Sequence, residues 1–125
     1  MTSGLHHDLS EAVIACAIEV HRHIGPGLLE SVYEAALCVE LAATGRQFVR
    51  QLKVPIFYKG EEIVEFRPDL IVENSILVEI KSVERFDPVF VAQTLSYLRA
   101  TGLRVGLILN FNRSTLRDGI KRVSL

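Results

Sequence analysis

Three charged residues interrupt two runs that are otherwise built for burial: Asp69, Glu79 and Lys81 in RPDLIVENSILVEIKSVE, residues 67–84. Each run has the composition of a buried strand, and Glu73-Asn74-Ser75 between them is a turn signal. A turn centred on Asn74 pairs 72 with 76, 71 with 77, 70 with 78 and 69 with 79. Asp69 then lies across from Glu79, with side chains about 5 Å apart. Lys81 shares their face because side chains alternate along a strand, and Arg67 becomes its cross-strand partner. The other face is wholly apolar: Phe66, Leu70, Val72, Ile76, Val78 and Ile80. Directly opposed carboxylates repel each other, and in a partly buried site they stay ionised together only beside a counter-charge. A lysine supplies one such charge. A divalent cation supplies a larger one, and carboxylate oxygens are what hard ions such as Mg²⁺ take. The alternative is an Asp–Lys–Glu cluster on an open, solvated sheet face. A turn one residue longer would shift the pairing by one.

The elements that would carry this hairpin follow from periodicity. Residues 9–23 read as a helix, with Ser10 as its N-cap and Val13, Ala17, Val20 and Ile24 at helical spacing. Gly25-Pro26-Gly27 breaks it. A second helix covers 28–44, with Leu29, Val32, Ala36, Leu37 and Leu41 as its stripe and Gly45 at its end. The period then changes to two. Strands are expected over 47–58, 62–72 and 76–83, with Pro55 marking an edge position or a bulge. Asp87-Pro88 opens a third helix running to Ala100, which stops at Gly102. Residues 103–111 form a last apolar strand, and 114–123 read as a short amphipathic helix. The order is α-α-β-β-β-α-β-(α). This is an α/β or α+β single domain over 1–125, with a mixed four-stranded sheet flanked by helices.

The chain has 125 residues, 49% hydrophobic and 23% charged, a balance suited to one globular core. No apolar run reaches the roughly 18 residues of a membrane span, and the N-terminus carries no secretory pattern. A cytoplasmic location is expected. Cys16 and Cys38 read as small buried hydrophobes in a reducing compartment. Net charge is −1 but unevenly spread. Residues 1–84 hold 7 Lys+Arg against 13 Asp+Glu, and residues 85–125 hold 7 against 2. The basic third suits phosphate contacts, or it simply offsets the acidic part. Arg85, Arg99 and Arg104 read as surface residues first. His21 and His23 are two apart and face away from each other on a helix.

Arg67-Pro68-Asp69 followed by Glu79-Ile80-Lys81 spells PD…ExK. Upstream, Gly27-Leu28-Leu29-Glu30-Ser31-Val32-Tyr33 spells GxxExxY, and downstream Gln93-Thr94-Leu95-Ser96-Tyr97 spells QxxxY. Together these motifs, in order over residues 9–123, resemble the GxxExxY protein family, a branch of the PD-(D/E)xK nuclease superfamily. The resemblance implies a restriction-endonuclease-like core of helix, three-stranded meander, helix and strand. It implies that Asp69 and Glu79 hold Mg²⁺ or Mn²⁺, with the backbone carbonyl of Ile80 as a further ligand and Glu30 as an added acidic residue. Lys81 would orient or activate the attacking water, and Gln93 and Tyr97 would flank the site. Tyr33 and Gly27 read as structural. The implied activity is hydrolysis of phosphodiester bonds in DNA; the alternative is a non-catalytic nucleic-acid or protein-binding module on the same fold. The small size argues for a homodimer or a protein partner. One departure stands out: where the family pattern has a polar residue, often His, before the glutamine, this chain has Val89-Phe90-Val91-Ala92.

Overall fold

A five-stranded mixed sheet, ordered β1-β4-β5-β6-β7, forms the middle of the protein, and β2 and β3 form a separate two-stranded hairpin that meets the α3 helix. The computed structural model describes residues 4–125; residues 1–3 of the expected domain lie outside the described part. The elements are α1 (His7–Ile24), α2 (Glu30–Ala43), β1 (Phe48–Arg50), β2 (Val54–Tyr58), β3 (Glu61–Phe66), β4 (Leu70–Val72), β5 (Ile76–Lys81), α3 (Val89–Thr101), β6 (Val105–Asn110), a 3₁₀ turn (Leu116–Gly119) and β7 (Ile120–Ser124).

β5 and β6 run parallel and the other pairings in the main sheet are antiparallel. A parallel pair needs a crossover, and α3 provides it. Crossover helices cover a sheet, so central strands lose their alternation and become apolar throughout. β5 and β6 are buried along nearly their whole length. On one face Leu70, Val72, Ile76, Val78, Ile80, Leu107 and Leu109 pack under α1 and α2 through Val13, Ala17, Val20, Tyr33, Leu37 and Leu41. On the other, Leu77, Ile108 and Val123 pack under Leu98 of α3. The second face is therefore also a core layer, with charge only at its end, rather than a purely charged face.

Three expectations change. The long strands 47–58 and 62–72 each split, at Gln51-Leu52-Lys53 and at Arg67-Pro68-Asp69; their outer halves pair as the β2–β3 hairpin. Pro55 lies in that hairpin beside a register irregularity between Ile56 and Phe57, as a missing N–H requires. Phe66 consequently leaves the α1–α2 face and meets Tyr97 of α3 edge-on, centroids 4.4 Å apart. The 114–123 helix is instead a 3₁₀ turn and a fifth strand, β7, antiparallel to β6. Ser10 does not cap α1: it is buried one turn into the helix, where its hydroxyl receives a hydrogen bond from Arg122 of β7. Gly27 has φ +97°, a value glycine adopts without the steric penalty of a side chain. No described helix is long and apolar enough to cross a membrane.

Candidate active site

The β4–β5 hairpin has the register expected: Leu70 opposite Val78, Ile71 opposite Leu77, Val72 opposite Ile76. The hairpin closes through the three residues Glu73-Asn74-Ser75: Glu73 and Asn74 have φ of +51° and +52°, and the Ser75 N–H donates to the Val72 carbonyl (2.9 Å). The next pair outward is Asp69 and Glu79, and they interlock through backbone. The Asp69 N–H donates to Glu79 Oε2 (2.9 Å), and the Ile80 N–H donates to Asp69 Oδ2 (2.7 Å). Each carboxylate is thus aimed by the strand that carries the other.

Glu79 is buried, 7% exposed. Burial first, then the neighbouring Asp69 charge, pushes its carboxyl up to about 8, against an opposing hydrogen bond from the Asp69 backbone and the more distant charge of Lys81. Burial also raises Asp69, with the charge of Glu34 adding to it and the Ile80 N–H opposing. The pair is short of positive charge. Lys81 lies near enough to favour ionisation of both carboxylates, yet its ammonium rests over the Phe90 ring, 4.4 Å from the centroid. Phe90 belongs to the apolar stretch just before Gln93. Lys81 aligns with Asn110 of β6, not with Arg67, which sits past the end of β3 beside Glu65 (3.6 Å). Buried Asn110 brackets the segment after Lys81: its amide accepts from the Val83 N–H (3.1 Å) and donates to the Val83 carbonyl (3.0 Å).

Glu30, at the start of α2, accepts a hydrogen bond from the Ser82 N–H (3.1 Å) and adds to the negative charge felt by Glu79. Tyr33 is fully buried; its hydroxyl donates to the Gly25 carbonyl (2.6 Å) and accepts from the Leu28 N–H (3.0 Å), so it ties down the loop before α2. Burial, then the charges of Glu79 and Asp69, raises the Tyr97 hydroxyl above its ordinary value. Gln93, one turn earlier on α3, is exposed. His21 is buried, bonds the Arg113 carbonyl through Nε2 (2.8 Å) and stacks on Phe111; His23 bonds the Glu19 carbonyl.

Two residues at the site carry no motif. Glu34, buried on α2, accepts from Arg50 Nη2 (2.9 Å) and Nε (3.0 Å). Gln51 Nε2 donates to Glu34 Oε1 (3.0 Å) and to Asp69 Oδ1 (3.3 Å). Glu34 was visible in principle, one turn after Glu30 in the face shared by Tyr33, Leu37 and Leu41. Gln51 gives no signal in a stretch that reads as continuous strand.

The donors around Asp69 and Glu79 are all oxygen, which suits a hard divalent ion. Among the described residues, no group of three or more His, Cys, Asp and Glu is arranged to hold a metal. Mg²⁺ ordinarily keeps several waters and takes one or two carboxylates, so a buried pair lacking positive charge fits it.

A family model of the PD-(D/E)XK nuclease superfamily matches residues 7–123. The chain belongs to that superfamily. Its structure is similar to a crystal structure of an alkaline exonuclease from Laribacter hongkongensis, with a TM-score of 0.53 and 15% identity, over 99% of this chain and 72% of that one. No curated protein matches in sequence. The fold is thus the restriction-endonuclease-like one that the motifs imply, with five strands in its sheet rather than four.

Proposed function

We propose that the chain is a divalent-metal-dependent nuclease of the GxxExxY branch, hydrolysing phosphodiester bonds in DNA. The observation that carries this reading is the interlocked Asp69–Glu79 pair: two carboxylates held rigidly in a buried place where Glu79 ionises only near pH 8. A fold bears that cost where a cation is to be received. Asp69 and Glu79 would hold Mg²⁺ or Mn²⁺, with the Ile80 carbonyl as a further ligand and Glu30 as an added acidic residue. When bound, the ion would lower the pKa of the attacking water and polarise the phosphoryl oxygen.

The chain's own residues do the rest. Lys81 follows Glu79 on the same strand face, and its ammonium leaves the Phe90 ring to meet the charge that develops at phosphorus. The Asn110 bracket keeps the Lys81–Val83 backbone fixed while the side chain swings. Tyr97 closes the α3 side of the site, and Gln93, exposed one turn away, faces the incoming strand. Tyr33 supports the loop from which Glu30 emerges.

The test is calorimetry with Mg²⁺ and Mn²⁺, paired with cleavage of a mixed DNA panel. Wild type binds metal, Asp69→Ala does not, and Lys81→Ala binds metal but fails to cleave. Absence of heat with wild type at millimolar metal overturns the proposal. Cleavage that survives in Lys81→Ala assigns the activity to another site.

A further inference from the structure

The chain breaks between β1 and β2 at a residue that has no need to be there for the strands alone. Gln51 has φ +52°, in a left-handed region that residues other than Gly, Asn and Asp seldom enter. The break has a consequence for side chains. Arg50 and Gln51 are consecutive, and in an unbroken strand they would point to opposite faces. Instead both reach the same buried carboxylate, Glu34: Arg50 through Nη2 and Nε, Gln51 through Nε2. The same Nε2 also reaches Asp69 Oδ1, and the Gln51 N–H donates to the Asp69 carbonyl (3.1 Å). The amide orientation is fixed by chemistry, since its oxygen would face two carboxylates and its nitrogen satisfies both.

We infer that Gln51 is a positioning residue for the Asp69 carboxylate, anchored by buried Glu34, which the half-exposed Arg50 holds in place. Asp69 is gripped at each oxygen: Oδ2 by the Ile80 N–H and Oδ1 by the Gln51 amide. The grip on Oδ2 comes from within the hairpin. The grip on Oδ1 comes from α2 and β1, so it ties the metal-side carboxylate to the helix that also carries Glu30. Partners of this kind orient a ligand, and their loss ordinarily weakens metal binding by about 10- to 100-fold. This inference rests on the reading of Asp69 as a metal ligand.

Gln51→Asn separates the backbone from the side chain. Asparagine tolerates a left-handed conformation better than glutamine, so the joint between β1 and β2 survives. Its amide is one methylene shorter and no longer spans Glu34 and Asp69. Gln51→Gly removes the amide altogether and relieves the backbone. Both variants should melt at or above the wild-type temperature, while the Mn²⁺ dissociation constant from calorimetry rises about 10-fold or more. Unchanged Mn²⁺ affinity in both variants, with wild type binding, overturns this inference and leaves the proposed function standing. Weakened affinity accompanied by a large fall in melting temperature also overturns it, because the role would then be structural. No heat from wild type overturns both readings.

Discussion

Glu79→Gln should make the metal-free protein more stable, and by an amount that grows with pH. Glutamate ordinarily titrates near 4.5 and Glu79 titrates near 8, chiefly because it is buried and secondly because Asp69 is beside it. A carboxyl raised in the folded state contributes stability that is complete below its unfolded value and disappears as pH climbs through its folded value. At ~1.4 kcal/mol per pH decade, that stability falls by roughly 3.5 kcal/mol between pH 5 and pH 8. Glutamine cannot ionise, and its side-chain oxygen still accepts from the Asp69 N–H. The other titrating groups are common to both chains and Asp69 is coupled to Glu79, so the difference reports the ionisation of the pair with Glu79 present against absent. With an unfolding entropy of ~2.1 cal/mol/K per residue, 3.5 kcal/mol corresponds to roughly 10–15 °C in melting temperature. The assay is thermal unfolding of both proteins in chelator from pH 5 to pH 8.5. The curves should diverge steadily from pH 5 to pH 8 and level off above it, with the variant melting higher. A separation that stays constant across that range would refute the argument that burial of an ionising Glu79 strains the metal-free fold.

Two further substitutions test how the site is supported. Tyr33→Phe leaves the Gly25 carbonyl and the Leu28 N–H without their buried partner, at a cost of about 1–3 kcal/mol; denaturant unfolding should show the loss while Mn²⁺ affinity in calorimetry is kept. Gly119→Ala sets a Cβ 2.1 Å from the Asn110 carbonyl oxygen, so backbone must move; overpacking of this kind costs about 1–3 kcal/mol or more, and melting should fall by several degrees.

The parts of the fold that were legible in the sequence are those where one local rule had no competitor. The β4–β5 register is set by alternation on one side of the turn and by Glu73-Asn74 in the turn itself, and both signals lie within ten residues of the site. The end of α3 at Gly102 is legible for the same reason: its φ of +77° closes the helix through a bond to the Leu98 carbonyl. β7 had two rules in competition. Leu116, Ile120 and Val123 are spaced i, i+4, i+7 and read as a helical stripe. What decides against the helix is distant. The open edge of β6 needs a partner, and β7 pairs with it from Val105 to Leu109. Arg122 then reaches Ser10 on α1, and nothing within 114–123 announces either contact.

The site divides along the same line. Asp69, Glu79 and Lys81 could be found because a charge in a buried strand is an exception that composition alone exposes. Glu30 came from a motif, and Glu34, one helical turn on, did not. The structure connects both to the hairpin by different routes. Glu30 meets the backbone after Lys81 through Ser82, and Glu34 meets Asp69 through Gln51. A helix repeats its face every three to four residues, so any acidic residue placed to reach one end of β5 sets the next turn beside the neighbouring strand. A motif that names one helical carboxylate at a strand-borne site is therefore grounds to examine the residue four positions on. Here that residue is the more deeply buried of the two, and it carries a full charge pair with Arg50 where a core side chain would otherwise suffice. An ion pair with one half-exposed partner stabilises little. Glu34 stands at the end of the chain of hydrogen bonds to Asp69, and a leucine after Tyr33 would leave the Gln51 amide and the Arg50 guanidinium without that acceptor.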